Sequence, residues 1–263
     1  MSLRVVDDRD VRGVRARAFR VEGEAGEVPG ILWTPPEVRG RLPLVLVGHG
    51  ASGSKRQDYV RALARRLVLV HGVAAAAIDG PVHGDRRPDG GHDGRLQFLD
   101  FVKAWSNDEA MTDRMVSDWR RTLDGLCSPD GPFSLDGVEL GPVGYWGVSM
   151  GTILGLPFVA AEPRIEAAVL GLMGLTGPTA GRIAADAPLV ACPVLFLVQW
   201  SDELFPRDSA FALFEAIGSA DKRLHANPGS HGAVPDDEDE ESAEFLAGWL
   251  APDRGCQEGP GQP

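Results

Sequence analysis

A serine between two glycines is the feature of this chain with the clearest chemistry, since residues 147–151 read GVSMG. The apolar run that ends at Trp146 predicts a buried strand, and residues 150–161 predict a helix. In a GxSxG turn between a strand and a helix, the backbone at the serine is strained, and small flanking residues let the two elements pass closely. The serine hydroxyl is then exposed at a helix N-terminus, where unpaired N–H groups stabilise developing negative charge. Ser149 is therefore predicted to be a nucleophile.

A bare GxSxG is a weak signal in a chain with 33 glycines, so the residues that would activate the serine carry equal weight. A serine hydroxyl needs a histidine to take its proton, and two histidines follow it, His225 and His231. His231 lies in NPGSHGAVP, a run of turn residues after a predicted strand. His225 lies inside the strand pattern RLHAN, where packing or solvent exposure explains a histidine. We predict that His231 is the base, and a loop histidine without a role is the alternative.

The carboxylate that would orient the histidine is predicted from the apolar run at 193–198, which leads into QWSDELFP. An acid directly after such a strand lies at the carboxyl edge of the sheet, where open α/β sheets carry their sites. Asp202 is therefore the predicted acid, and Glu203 is its nearest rival. Asp208 falls in the first turn of the next predicted helix, where the helix dipole explains it.

With these residues in the order serine, aspartate, histidine, the sequence resembles the α/β-hydrolase superfamily over roughly residues 30–250. The segment LPLVLVGHG resembles the third strand and oxyanion loop of that family, and SDELFP and GSHG resemble its acid and histidine loops. HG followed by ASGSK, together with DGPVHGDR, is similar to small serine esterases of the dienelactone hydrolase-like and acetyl-esterase-like groups. The chain differs from dienelactone hydrolases proper, which use a cysteine nucleophile.

The resemblance implies a role for each residue of the predicted triad. Ser149 would attack the acyl carbon, His231 would act as general base and then as general acid, and Asp202 would hold the imidazole. The backbone N–H groups of Ala51 and Met150 would form the oxyanion hole. No cofactor and no metal is implied by this chemistry.

The rest of the pattern predicts an α/β fold, with a mostly parallel eight-stranded sheet, helices on both faces and no large cap domain. Strands are predicted at 13–22, 27–34, 43–48, 73–79, 143–146, 165–171, 193–199 and 221–226. Helices are predicted at 57–70, 108–126, 150–161, 181–191, 207–218 and 237–250. A large cap is not expected, because the chain between the strands at 165–171 and 193–199 is too short to build one.

Residues 80–107 form a long excursion, rich in Gly, Asp, Arg and His, after a strand whose end should face the site. We expect this excursion to form one wall of the pocket, and its aromatic residues could equally belong to the core. The possible lining residues are His83, Phe98, Phe101 and Trp105. The acids and histidines of the excursion match no metal-ligand spacing; they are His83, Asp85, Asp89, His92 and Asp93.

Composition limits the classes of protein and of partner. With 263 residues and 43% hydrophobic content, residues 1–251 are expected to form a single domain, and the Gly- and Pro-rich residues 252–263 a disordered tail. The net charge of −12 argues against nucleic acid as a partner. No segment matches a signal peptide or a membrane helix, so we expect a cytoplasmic protein. Three widely spaced cysteines indicate neither a disulfide framework nor a zinc site.

The acidic run DDEDEE at 236–241 is interpreted as the solvated first turn of the last helix, and a calcium or partner site is the alternative.

Three classes of function remain open to this sequence. The first is a serine hydrolase of the carboxylesterase type, which cleaves a small or medium acyl ester through an acyl-enzyme; thioesters and lactones are close variants. The second is an acyltransferase or a cofactor-free perhydrolase on the same fold, which would differ in how the pocket excludes water after acylation. The third is a catalytically silent binding protein, which predicts a damaged triad, whereas every element is present here.

Overall fold

The structure is a computed structural model that describes residues 3–38 and 40–251. Over these ranges it contains nine strands in one sheet and eight α-helices. The strands are β1 (Leu3–Asp10), β2 (Arg15–Gly23), β3 (Gly26–Thr34), β4 (Gly40–Gly48), β5 (Ala74–Ile78), β6 (Val138–Gly147), β7 (Ile165–Gly171), β8 (Val194–Gln199) and β9 (Lys222–Asn227). The helices are α1 (Asp58–His71), α2 (Gly94–Asn107), α3 (Met111–Leu126), α4 (Pro132–Leu135), α5 (Met150–Ala161), α6 (Ala180–Asp186), α7 (Arg207–Ala216) and α8 (Asp236–Leu250).

The order of strands across the sheet is β1-β2-β3-β5-β4-β6-β7-β8-β9. The first three strands and the β3–β5 pair are antiparallel, and all pairs from β5 to β9 are parallel. The chain moves outward from β4 to β5 and then returns to place β6 on the other side of β4. Such a reversal of direction leaves a crevice at the carboxyl ends of the two neighbouring strands, here β4 and β6.

The core occupies both faces of the sheet, because the parallel strands carry continuous apolar runs and need cover on each side. One face packs against α1 and α8, where Leu63, Leu67 and Leu246 are buried. The other face packs against α3 and α5, where Trp119 and Phe158 are buried. The predicted α/β architecture, with a mostly parallel sheet and helices on both faces, is confirmed. Within the described residues no cap domain is inserted.

The strand number differs from the predicted eight, because β1 adds an antiparallel edge strand. Its sequence LRVVDDRD does not alternate between apolar and polar residues, since only two of its positions are even half-buried. β1 is held by its ladder to β2 and by exposed ion pairs such as that of Arg15 with Asp8 at 2.6 Å. Period-two patterning cannot reveal a strand that buries neither face.

One helix was not predicted, and one predicted helix is shorter than expected. The excursion at 80–107 contains α2, which begins after Asp93, whose carboxylate accepts hydrogen bonds from the backbone N–H groups of Arg95 and Leu96. The helix predicted at 181–191 ends earlier as α6 and passes into a short 3₁₀ turn, Ala187–Leu189, where proline occupies the second position. The tail predicted at 252–263 lies outside the described residues.

Among the helices that the structure describes, none combines the length and the apolar character needed to cross a membrane.

Candidate active site

Ser149 lies at the sharp turn between β6 and α5, at the crevice between β4 and β6. Its backbone has φ 58° and ψ −120°, in a region that residues with a side chain rarely adopt. The turn is held because the Ser149 N–H donates to the carbonyl oxygen of Gly171 at 3.0 Å, at the end of the neighbouring strand. The strained turn therefore presents the hydroxyl above the sheet, at the N-terminus of α5.

The two glycines of the pentapeptide are required by close approach of the backbone. A Cβ atom on Gly151 would lie 2.6 Å from the carbonyl oxygen of Gly48 in β4, and one on Gly147 would lie 2.7 Å from the Tyr145 hydroxyl. That hydroxyl donates to the carbonyl oxygen of Gly151 at 2.7 Å and is buried, so it cannot move aside freely. Helix α5 can therefore dock on β4 only without side chains at these positions.

Replacing Gly151 with alanine is expected to lower the free energy of unfolding by about 1–3 kcal/mol, because the new methyl group meets backbone rather than a flexible side chain. The matched control is Gly181→Ala in α6, where a Cβ meets nothing within 4 Å and alanine is the better helix former. Urea unfolding of both variants measures the difference. Equal stability of the two variants would show that the elbow can widen without cost.

The structure brings the three predicted triad side chains together. Nε2 of His231 lies 2.9 Å from the Ser149 hydroxyl oxygen, and Nδ1 of His231 lies 2.8 Å from Oδ2 of Asp202. His231 is supplied by the loop between β9 and α8, and Asp202 by the loop after β8. The ring of Phe205 packs at 5.7 Å from the imidazole, centroid to centroid. In this arrangement Nδ1 is the donor to the carboxylate, so Nε2 is free to accept the serine proton.

Asp202 is held in place by its own loop. Its Oδ1 accepts hydrogen bonds from the backbone N–H groups of Leu204 at 2.8 Å and Phe205 at 2.9 Å. Burial acts to raise the pKa of Asp202, but the hydrogen bonds from His231 and from these N–H groups outweigh burial, and the net pKa is lowered. Glu203, the rival candidate, instead accepts the backbone N–H of His231 at 2.8 Å. The two acids thus have different partners: Asp202 orients the ring, and Glu203 holds the loop.

The predicted oxyanion donors, Ala51 and Met150, both lie at the site. Within the described residues neither backbone N–H has an acceptor, whereas the N–H of Gly50 donates to the Tyr59 hydroxyl at 2.7 Å. Ala51 follows β4, and Met150 is the first residue of α5, so the two N–H groups come from the two sides of the crevice. A pair of unpaired donors beside a nucleophile can bind a carbonyl oxygen that becomes negative.

Two buried histidines shape the loop that carries Ala51. Nδ1 of His49 donates to the carbonyl oxygen of Gly50 at 2.8 Å, and its Nε2 accepts from the N–H of Gly80 at 2.9 Å. Burial lowers the pKa of His49 to about 3, so the ring stays neutral, as this pair of contacts requires. Nε2 of His83 lies 2.7 Å from the carbonyl oxygen of Ala51 itself. His83 was expected as pocket lining, but the structure places it behind the loop, where it fixes the Ala51 peptide.

The same loop is anchored by a buried ion pair that sequence reasoning missed. The ammonium of Lys55 contacts Asp79 and, at 2.9 Å, Asp85, while Asp79 also accepts the backbone N–H groups of Lys55 at 3.0 Å and of Asp85 at 2.8 Å. Lys55 and Asp79 are almost completely buried, at 1% and 0% exposure of their side chains. Only the return of the chain at the end of β5 brings these residues together, so no local pattern could reveal the pair.

Replacing Lys55 with alanine is expected to cost about 3–5 kcal/mol of unfolding free energy, because it leaves the Asp79 carboxylate buried without its counter-charge. The control is Arg61→Ala, which removes a cation from an exposed ion pair with Asp58 and should change stability little. Denaturant unfolding at pH 7 compares the two. A loss for Lys55→Ala no larger than that for Arg61→Ala would show that the buried pair does not anchor the loop.

A cavity of about 380 Å³ opens directly onto Ser149 and His231. Its lining is Gly50, Ala51, Ser52, Tyr59, Phe98, Trp146, Val148, Ser149, Leu172, Leu197, Leu204, His231, Gly232, Val234, Pro235, Asp236 and Asp239. Phe98 of α2 lines it as expected, but Trp105 does not. The Trp105 indole N–H instead donates to the Thr179 hydroxyl at 2.9 Å, and its ring stacks on buried Phe101. Phe98 and Trp105 are seven residues apart and so lie on the same face of α2, but Trp105 is two turns, about 10 Å, further along the helix.

A larger depression of about 970 Å³ lies at the opposite edge of the sheet, near the start of β7 and β8, and is lined by residues such as Glu162, Cys192 and Trp249. It contains none of the triad residues. The smaller cavity is therefore the candidate active site.

One group of residues within the described ranges has a geometry that could hold a metal ion, and it lies outside the triad. Nδ1 of His225 in β9 lies 2.8 Å from Glu238 and 3.0 Å from Glu241, both on α8. The histidine that was predicted to be packed or solvent-facing thus ties β9 to the last helix through two carboxylates. The acids of the excursion at 80–107 have other partners, since Asp85 pairs with Lys55 and Asp89 pairs with Arg87.

Several solved structures of enzymes are similar to the structure of this chain. A cold-adapted esterase from an Arctic intertidal metagenomic library, in a PEG-bound complex, is similar with 37% sequence identity and a TM-score of 0.82, over 95% of this chain and 100% of that chain. An acetyl xylan esterase from a Paenibacillus species shares 19% identity with a TM-score of 0.70, over 95% of this chain and 88% of that chain. A dienelactone hydrolase from Anabaena variabilis shares 20% identity with a TM-score of 0.65, over 90% and 97%.

The last two likenesses concern the fold alone. No protein-family model matches the chain, and neither does any curated protein.

Proposed function

Because this chain belongs to the α/β-hydrolase superfamily and is a carboxylic ester hydrolase, we propose that it cleaves small or medium acyl esters through an acyl-enzyme on Ser149. In this proposal His231 is the general base and then the general acid. Asp202 orients the imidazole, and the N–H groups of Ala51 and Met150 bind the oxyanion. The substrate is a small-molecule ester. A cytoplasmic location stays a prediction from the sequence.

The observation that carries this proposal is the continuous line of contacts from Ser149 through His231 to Asp202, at 2.9 Å and 2.8 Å. As the hydroxyl oxygen attacks the acyl carbon, its proton passes to Nε2 of His231, and the imidazolium that forms is stabilised by the Asp202 carboxylate. The carbonyl oxygen takes up negative charge between the N–H groups of Ala51 and Met150, which have no competing acceptor among the described residues.

His231 then acts as a general acid to complete acylation, and water releases the acyl group in a second stage. The imidazolium donates its proton to the departing alcohol oxygen as the bond between that oxygen and the acyl carbon breaks, which leaves the acyl group on Ser149. Water then attacks the acyl carbon while His231 accepts a proton from it, and collapse of the second intermediate releases the acid and restores the hydroxyl. A cavity of about 380 Å³ with mainly apolar walls favours small and medium acyl groups.

Labelling with a fluorophosphonate tests the nucleophile without requiring the natural substrate. We expect one label per chain by intact mass, on Ser149. Unlabelled protein should hydrolyse 4-nitrophenyl acyl esters with a preference for short to medium chains. Added alcohol distinguishes hydrolysis from acyl transfer, because a transferase would convert the ester mainly to the new ester rather than to the acid. A folded protein that takes no label and cleaves no ester would contradict the proposed function.

A further inference from the structure

The candidate cavity extends from Ser149 to the first turn of α8, where two carboxylates line its wall. Asp236 and Asp239 are three residues apart on α8, and both belong to the lining. Among the lining residues that the structure describes, none is a lysine or an arginine. Apart from the catalytic groups, the fixed charge of the cavity is therefore negative, which favours positively charged substrate groups over negatively charged ones.

Asp239 is partly buried, yet it has no hydrogen bond or ion pair with any residue that the structure describes. The nearby cation of α1, Arg66, pairs instead with Glu240 at 3.2 Å. Burial raises the pKa of Asp239 to about 6, Arg66 acts to lower it, and Asp236 and Glu238 raise it further. Asp239 therefore has no partner within the described protein, and a cationic group of a substrate could supply one.

Two aromatic side chains line the same cavity as this carboxylate. The rings of Tyr59 and Trp146 lie 6.2 Å apart, centroid to centroid, with 47° between their planes. Aromatic faces attract ammonium groups through the ring quadrupole, and the attraction strengthens where water is excluded. The Tyr59 hydroxyl is already engaged by the N–H of Gly50, which holds this ring beside the oxyanion loop. Carboxylate and rings together form the chemical surroundings in which proteins bind ammonium groups.

We propose that the Asp239 end of the cavity binds an ammonium group carried by the ester substrate, with Tyr59 and Trp146 beside it. This inference rests on the proposed esterase function and names a substrate class for it: esters with a cationic amine in the acyl or the alcohol part. Asp239 supplies the counter-charge, and the rings supply an apolar face for the methyl or methylene groups around the nitrogen.

The experiment compares cationic esters with uncharged isosteres of the same shape. On the alcohol side the pair is acetylcholine and 3,3-dimethylbutyl acetate; on the acyl side it is methyl 4-(trimethylammonio)butyrate and methyl 5,5-dimethylhexanoate. For at least one pair, wild-type kcat/KM is expected to favour the cationic ester by about tenfold, as for a partly desolvated cation–π and charge contact. The preference should fall as the pH drops through about 6, because Asp239 then loses its charge.

The matched variants are Asp239→Asn and Asp237→Asn, which remove the same charge from the same helical turn. Asp237 is exposed and does not line the cavity. Asp239→Asn should remove most of the cationic preference in kcat/KM, whereas Asp237→Asn should leave the ratio as in the wild type. Equal losses in both variants would indicate a general field of the acidic helix and would overturn the subsite.

A binding measurement keeps this test separate from that of the esterase function. In Ser149→Ala protein, calorimetry with choline and with 3,3-dimethylbutanol should show tighter binding of choline, and most of the difference should be lost when Asp239→Asn is added. Wild-type protein that cleaves neutral esters without preferring cations would overturn the subsite and leave the proposed function standing. A stronger preference for a hydroxylated isostere would also overturn it and assign the cavity to neutral polar groups.

Discussion

Alanine at position 149 is expected to abolish fluorophosphonate labelling and to lower kcat for 4-nitrophenyl acetate by about 10⁶-fold, as loss of a nucleophile does in serine hydrolases. The large effect follows from the geometry, since Nε2 of His231 lies 2.9 Å from the hydroxyl oxygen, and among the described residues no other hydroxyl lies within hydrogen-bond reach of that nitrogen. The backbone N–H groups of Ala51 and Met150 remain in place in this variant; if they bind the oxyanion as proposed, a residual rate above that of water is expected. Intact mass spectrometry and a stopped assay measure the two quantities.

Two controls separate loss of the nucleophile from loss of the fold. Ser106→Ala removes a hydroxyl on an exposed side chain of α2 that donates to the carbonyl oxygen of Val102, and this variant should label as the wild type does. The unfolding midpoint of Ser149→Ala should stay close to that of the wild type, because its backbone strain is unchanged and the lost hydrogen bond to His231 is only partly buried. Retained labelling in the Ser149→Ala protein would place the nucleophile elsewhere in the chain.

Asparagine at position 202 is expected to lower kcat by about 10⁴-fold with little change in KM, because the amide favours the imidazole tautomer that cannot accept the serine proton. In the wild type, the carboxylate oxygen lies 2.8 Å from Nδ1 of His231 and accepts its hydrogen. The lowered pKa of Asp202 keeps this carboxylate charged throughout the neutral range, so its titration does not contribute to the pH dependence of turnover there. Steady-state kinetics on one ester, measured from pH 6 to 9, provides the comparison.

The neighbouring acid offers a stringent control. In the wild type, Glu203 accepts the backbone N–H of His231 at 2.8 Å, and the Glu203→Gln variant keeps an oxygen that can accept it. Because the tautomer of His231 is then unchanged, turnover should stay within a few-fold of the wild type. If Asp202→Asn remained active while Glu203→Gln lost activity, the assignment of the acid would have to be exchanged. Loss of activity in both variants with a lowered unfolding midpoint would indicate that disruption of the loop, and not the imidazole tautomer, lowers turnover.

Much of the fold and of the candidate site could be predicted because the relevant signals are local. The nucleophile turn needs small residues directly beside Ser149, and the strand before it and the helix after it have periodicities that a short window reveals. Likewise, Asp202 and His231 were selected because each follows a predicted strand, and parallel strands place their carboxyl ends at one edge of the sheet. The sequence by itself therefore determined the class of fold, the class of reaction and the residues to test.

Other features depend on which surfaces meet after folding, and no window of sequence contains both partners. Edge strand β1 and helix α2 lack a clear apolar pattern, because β1 exposes both faces and α2 buries few side chains. The position of His83 behind Ala51, the Lys55–Asp79 pair and the lining role of Asp239 each join residues from separate elements. Local propensity predicts where a chain turns, but only tertiary packing decides which buried polar groups find partners and which are left facing the substrate.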